Sequence, residues 1–373
     1  MRRISVEGGS ESLETQIGNL ALTLATRISR RGILGAGAAL ALGSIAAACG
    51  LGSSPSGSQA KKKVALLLPS YTQVRWKVAD QAYFESEAKK LGVFDVIFQQ
   101  ANDNATTQSN QVENVLTQGI DLLVLCPADV DAAKNMVRKA NTAKVPVISY
   151  NYSIMDVDIA ALISRDAVQV GRDLANAMVQ KVPKGNYVNV FLPEALSVGR
   201  DKAQGTLEVL KPLVDRGDIK VVSQQYVDIS DLAGLAQKQV EAALVANRNN
   251  IQAIIAHNNN LEYGVVAALS AQGLAGKIQT TGEDCETHSL NLIKSGQCLA
   301  DSFTPFNDMG AQAARAAAAI LQGKAPAATR KFNNNVKQVP WVEIKAFNVT
   351  QDNLQQFAKD YPWWIDKTQA TFL

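Results

Sequence analysis

Histidine is nearly missing from this chain: His257 and His288 are the only two among 373 residues. Two residues cannot build a multi-histidine metal site. Aromatic residues are scarce at 6%, and Ala, Val, Leu and Ile supply most of the 47% apolar content. That balance favours helices on parallel strands over a β-sandwich. An excess of one charge is also lacking. The net charge is +3, and leaving out residues 1–49 leaves 32 bases against 31 acids. A nearly neutral body gives no reason to expect nucleic acid or an anionic membrane surface as its partner. No Gly-x-Ser-x-Gly elbow and no phosphate loop accompany His257, so nothing supports an enzyme. His257 reads instead as a hydrogen-bonding side chain at a strand end. The longest small-residue apolar run, 33–48, has 16 residues and three glycines, which is short for a membrane span.

What is present begins with an address. Ser29-Arg30-Arg31-Gly32-Ile33-Leu34 followed by that run has the shape of a twin-arginine export signal. Ala46-Ala47-Ala48-Cys49 resembles a bacterial lipobox, which predicts that Cys49 is lipidated and begins the mature chain. Residues 51–60 are rich in Gly, Ser and Pro and read as a flexible tether. A lipid, a tether and a globular body predict export, to the periplasm or the outer face of the cell membrane. Of the other cysteines, Cys126 reads as a buried thiol, and Cys285 and Cys298 allow a disulfide without requiring one.

From residue 64 the chain alternates short apolar runs with helical periodicity. Strands are expected at 64–68, 95–98, 122–126 and 145–150, separated by helices at 74–91, 107–118 and 131–142. The pattern restarts near Asp166, with strands at 187–192, 219–222, 253–256, 277–281 and 299–302. Helices at 168–181, 201–214, 232–246, 261–271, 289–295 and 309–321 alternate with them. Two such halves make a two-lobed α/β protein with helices on both faces of parallel sheets, and the strands exceed the eight of a TIM barrel. Asn333-Asn334-Asn335 reads as a loop where the chain recrosses between lobes, and Trp363-Trp364 as a pair packed on the body.

In open parallel sheets the loops at the carboxyl ends of strands form the ligand crevice. Here those loops include Pro69-Ser70-Tyr71, Tyr150-Asn151-Tyr152, 193–200, 226–231, 257–260 and 282–284. They are rich in Asn, Asp, Tyr and Arg, the mixture that serves a polyol: charged groups and amides for hydroxyls, aromatic faces for C–H surfaces. Residues 283–288 pack metal-capable side chains together, but consecutive residues cannot all converge on one ion, so no metal and no cofactor is expected.

Arg75-Trp76, Gln99-Gln100-Ala101-Asn102, Gln111-Val112-Glu113-Asn114, the stretch 182–187, Val209-Leu210-Lys211-Pro212 and the stretch 268–274 carry a resemblance. From Lys62 to about Asn353 the chain resembles the periplasmic sugar-binding proteins of bacterial ABC importers, in their ribose/xylose-binding branch. The resemblance implies the type I periplasmic-binding-protein fold, two lobes joined by a multi-strand hinge. Its lobes are expected at 62–163 with 304–332 and at 164–303 with 333–373, after an export signal at 1–49 and a tether at 50–61. It also implies no enzymatic turnover and capture of a monosaccharide, a xylose-like pentose or related sugar. The partners implied are that sugar, the membrane permease of the importer and, through the lipid, the membrane, with the chain acting as a monomer. A binding protein for a sugar acid or another polyol, or a sensory protein presenting sugar to a receptor, is the alternative. A DNA-binding repressor is excluded by the export signal.

Carried over position by position, Arg75 and Arg200 look like the sugar-contacting arginines of the two lobes. Tyr150-Asn151-Tyr152 stands where relatives have Tyr-Asp-Arg, Asn258-Asn259 where they have Asn-Asp, and Tyr226-Val227-Asp228 resembles Trp-Val-Asp. The expected ligand-facing residues are Tyr71, Arg75, Trp76, Asn151 and Tyr152 in the first half. In the second they are Arg200, Asp228, Asn259, Glu283 and Phe303. Two acids are replaced by amides, so either Asp228, Glu194 or Glu283 balances the arginines or the ligand brings its own carboxylate.

Overall fold

The computed structural model describes residues 61–368, so the predicted export signal, Cys49 and the tether lie outside the described residues. The first sheet is built from β1 (Lys62–Leu68), β2 (Phe94–Gln100), β3 (Leu122–Leu125), β4 (Val147–Tyr150) and β5 (Ala161–Ser164). Helices α1 (Ala82–Leu91), α2 (Ala105–Thr117) and α3 (Val130–Thr142) connect the first four. Crossing to the second lobe, α4 (Ala167–Lys181) leads to β6 (Gly185–Phe191), α5 (Ser197–Asp215), β7 (Ile219–Tyr226) and α6 (Leu232–Ala246). Then follow β8 (Ala253–Ala256), α7 (Asn259–Ala271), β9 (Gln279–Glu283), α8 (Thr287–Ser295) and β10 (Cys298–Phe303). The chain returns through α9 (Phe306–Leu321) to β11 (Arg330–Asn333) and β12 (Gln338–Glu343), and ends in β13 (Phe347–Val349), α10 (Leu354–Asp360) and α11 (Pro362–Thr368).

The sheet orders are β11-β12-β5-β4-β3-β1-β2 and β13-β10-β9-β8-β6-β7. Within each, every pairing is parallel except the last at one edge, β11 on β12 and β13 on β10. The apolar runs are strands because both faces are covered: the five residues Val64 to Leu68 are all buried, which only a sheet with helices on both sides allows. Where α4 crosses α5, a Cβ on Gly205 would lie 1.9 Å from the Val168 carbonyl oxygen, so only glycine permits that approach.

The chain passes between lobes three times, at β5–α4, β10–α9 and β12–β13. The last passage corrects the expected boundary. The 338–343 segment is a strand of the first sheet, parallel to β5, so the crossing follows Glu343 and does not lie at residue 333. Asn333-Asn334-Asn335 is the turn of the β11–β12 hairpin. Buried Asn334 locks it by donating to the Val157 carbonyl at 2.7 Å, and Asn335 donates to Asp156 at 2.8 Å. The predicted helix at 74–91 also divides. Residues Trp76–Gln81 wind as a π-helix before α1 begins. Cys285 and Cys298 are both buried free thiols. Trp364 is fully buried and donates its indole N–H to the Cys285 carbonyl at 2.7 Å, while Trp363 packs on Tyr83 with centroids 5.1 Å apart.

Candidate functional site

The π-helical turn sets up the first wall. Its wider winding places residues five apart on one face, so Arg75 folds back on Asp80. Nε and Nη2 of Arg75 donate to the two carboxylate oxygens at 3.0 and 2.8 Å, a bidentate pair. The guanidinium is 2% exposed and lies flat on Phe306, 3.6 Å from its ring centre, with Trp76 at 4.2 Å. Burial opposes its charge, but Asp80 outweighs burial and raises its pKa. Tyr150 adds a hydrogen bond from its hydroxyl to Asp80. At the end of β4, Asn151 sits at φ 64°, a left-handed backbone that amide side chains tolerate. Its Oδ1 accepts from Arg75 Nη2 at 3.3 Å and from Arg165 Nη1 at 2.7 Å.

The second wall is the carboxyl end of β9. Glu283 accepts from Arg165 Nε at 2.8 Å and from the Lys202 ammonium, which also donates to the His257 carbonyl at 2.7 Å. Burial pushes the Glu283 carboxyl up, but the adjacent Arg165 and Lys202 charges outweigh it and hold it below the usual range. Burial lowers the Lys202 pKa against the pull of Glu283. Asp284 follows at φ 100°, and its carboxylate stands 4.0 Å from Arg75 Nη1. Burial, with the neighbouring Glu283 charge, raises its pKa to about 7. Arg75 belongs to the first lobe and Asp284 to the second, so this contact joins them. Three cations (Arg75, Arg165, Lys202) therefore face three carboxylates (Asp80, Glu283, Asp284), all buried.

The expected ligand-facing residues separate into groups. Arg75, Asn151 and Glu283 meet in this network, with Trp76 beneath it. Tyr152 touches the hydrophobic cores of both lobes. Tyr71 is 37% exposed and stacks on Phe98. Arg200 is exposed, its guanidinium on the Glu194 carbonyl. The other three are engaged elsewhere. Asp228 is exposed and caps the turn at Ser230 (2.9 Å), so it does not balance the buried arginines. Phe303 is fully buried in an aromatic cluster with Phe306, Phe357 and Trp364. Asn259 turns to Glu262 at 3.2 Å and to Asp301.

Asp80, Arg165 and Lys202 were not foreseen, and Asp284 was foreseen only as part of the 282–284 loop. Arg165 follows β5, a four-residue strand without a clear pattern. Lys202 lies on a helix where a lysine ordinarily marks the solvent face. The i, i+5 spacing of Arg75 and Asp80 signals nothing unless the turn is π-helical. His257 is fully buried, hydrogen-bonded to Thr206 at 3.0 Å and stacked on Phe191. Burial and the nearby Lys202 charge hold its pKa well below the usual value, so it is a neutral wall residue. The metal-capable run disperses: Glu283 goes to Arg165 and Lys202, Asp284 to Arg75, and Glu286 accepts from Tyr263 at 2.9 Å.

Known proteins share this fold and part of this sequence. Residues 64–325 match the family described as periplasmic binding protein domain. The D-xylose-binding periplasmic protein of Escherichia coli (strain K12) is 35% identical over 79% of this chain and 88% of its own length. The protein of the same name from Haemophilus influenzae is 31% identical over the same shares, 79% and 88%. Among solved structures, a carbohydrate transporter solute-binding protein from Chloroflexus aurantiacus, in complex with D-glucose, superposes with a TM-score of 0.73 at 23% identity. That likeness covers 83% of this chain and 98% of the other, and at that identity it speaks for the two-lobed fold.

Proposed function

The chain belongs to the periplasmic binding protein family, and on that premise we propose that it captures a neutral monosaccharide between its lobes and hands it to the permease of an ABC importer. The ligand class proposed is a xylose-like pentose or related sugar. The observation that carries this is charge balance. Each buried cation of the cleft already has a carboxylate partner within the protein. A ligand carboxylate would have to compete with Asp80 and Glu283 for cations they already engage, whereas hydroxyls can donate to and accept from groups that are already paired. Arg75, Asn151 and Asp284 are the proposed contacts within the network, with Tyr71, Tyr152 and Arg200 at its margin.

The names of the relatives support a periplasmic location. The twin arginines and the lipobox-like Ala46-Ala47-Ala48-Cys49 support an exported, lipid-anchored form. Changing Cys49 to Ala then releases the protein into the soluble exported fraction, and retention on the membrane counts against the anchor.

Calorimetry tests the ligand. D-xylose is expected to bind at micromolar Kd, about −8 kcal/mol. Arg75→Ala and Arg200→Ala should each weaken it by about 1.5–3 kcal/mol, the scale of a charged hydrogen bond. Binding of D-xylonate without D-xylose, weakening steeply with salt, would overturn the neutral-sugar reading. Closure should also shrink the radius seen by small-angle scattering when sugar is added.

A further inference from the structure

A cavity of about 310 Å³ lies beside the β5–α4 crossing. That volume is on the scale of small-molecule sites. The β11–β12 hairpin supplies one wall through Arg330, Phe332 and Trp341, and α5 supplies the other through Ser197, Asp201 and Gln204. Asn151 and Arg165 line it as well, so it backs on to the charged network without sharing Arg75, Lys202 or Asp284.

The charges around it are unevenly matched. Arg330 is paired with Asp166 at 2.8 Å, Arg172 with Glu208 at 2.7 Å, and Arg165 with Glu283 at 2.8 Å. Asp201 is different. Among the described residues its carboxylate accepts no hydrogen bond and joins no ion pair, and its neighbour Arg200 turns to the Glu194 carbonyl instead. Asp201 is half-buried, and burial, with the nearby Asp166 charge adding to it, raises its pKa to about 6. A carboxylate accepts only, so what completes it must donate. Around it stand the hydroxyls of Ser153 and Ser197 and the half-buried ring of Phe332.

We propose that this hinge-side pocket is a second solute site, for a small polyhydroxylated amine whose ammonium meets the Asp201 carboxylate and whose C–H face lies against Phe332. An acidic solute is disfavoured because every arginine in the lining is already paired. The proposal does not depend on which sugar occupies the cleft, although Asn151 and Arg165 border both sites.

The test titrates the full chain with D-glucosamine and with D-glucose, its twin in size that lacks the ammonium. Three proteins are compared: the unchanged chain, Asp201→Asn and Arg75→Ala, each confirmed by circular dichroism to be folded at the assay temperature, since Arg75→Ala leaves Asp80 without its buried partner and lowers the melting temperature. Expected is binding of glucosamine at least about tenfold tighter than of glucose, where tenfold is about 1.4 kcal/mol. That binding should survive Arg75→Ala and fall at least about tenfold in Asp201→Asn. No glucosamine binding to the unchanged chain, equal binding by Asp201→Asn, or loss in Arg75→Ala would each overturn the proposal. The last result would place the amine in the cleft.

Discussion

Two pairs of buried carboxylates flank the end of β9, and the protein neutralises them by opposite means. Glu283 and Asp284 face the cleft and are held by Arg165, Lys202 and Arg75. On the other side, Glu262 and Asp301 converge on Gly282: a Cβ there would lie 2.7 Å from Glu262 Oε2 and 2.6 Å from Asp301 Oδ2. Among the described residues this second pair has no cation. Its neighbours are neutral donors: the Asn259 amide, the Ser289 hydroxyl and the Cys285 backbone N–H at 2.9 Å from Asp301. Burial raises the pKa of both acids, and Glu262 raises Asp301 further. Two carboxylates in one dry site cannot both ionise, so a proton does there what lysine and arginine do at the cleft. The difference teaches where charge is wanted. Glu283, beside two cations, keeps its charge, Asp284 is held between at about 7, and the pair that closes the lobe's interior gives a charge up.

The sharpest break in that comparison is Glu283→Ala. It leaves Lys202 and Arg165 buried without their carboxylate, and losing one partner of a buried pair typically costs about 3–5 kcal/mol. Urea unfolding should register a loss of that size. A loss below about 1 kcal/mol would mean that water reaches the two cations and that the cleft network is not dry.

A smaller effect is expected from Gly282→Ala. The added methyl would push into three polar atoms, Asn259 Nδ2, Glu262 Oε2 and Asp301 Oδ2, at 2.6–2.7 Å. Overpacking of that kind costs about 1–3 kcal/mol. Here the cost should appear as lower stability in the same urea assay. An unchanged midpoint would mean that the acid pair can spread, and so is not held as tightly as its hydrogen bonds imply.

The alternation of strands and helices was legible because buried parallel strands read as unbroken apolar runs and the helices between them carry their own period. The edges were not. Strand β12, Gln-Val-Pro-Trp-Val-Glu, contains a proline that argues against a sheet interior, yet it pairs with β5 on one side and the β11 hairpin arm on the other. That one strand carried the lobe boundary with it. At the site, Asn151 and Glu283 were legible as polar residues at strand ends, and Arg75 through the family resemblance. Their partners were not, since Asp80 depends on a π turn and Lys202 on a helix crossing that only Gly171 and Gly205 permit. Asn259 and Asp228 were placed by strand-end loops and by the family resemblance, but hydrogen bonds of their own engage them elsewhere.

The finest test of the contrast is Glu262→Gln, read against pH. In the unchanged chain both acids have folded pKa values above their unfolded ones. Groups raised in this way contribute stability that is fully present below the unfolded pKa, near 4, and lost as pH rises through the folded value. The pair therefore favours the folded state in acid and opposes it in alkali. The glutamine can keep the hydrogen bond from Asn259 through its amide oxygen, and its nitrogen replaces Oε1, which has no partner among the described residues. Removing that acid removes the repulsion that adds to burial in keeping Asp301 protonated. The variant should gain about 1–2 kcal/mol over the unchanged chain at pH 8, the scale of one pKa unit or slightly more, and should gain nothing at pH 4. Urea unfolding midpoints at the two pH values measure the difference. An equal shift at both would show that Glu262 acts through packing alone, and the contrast between a proton and a counter-ion on the two sides of β9 would fall with it.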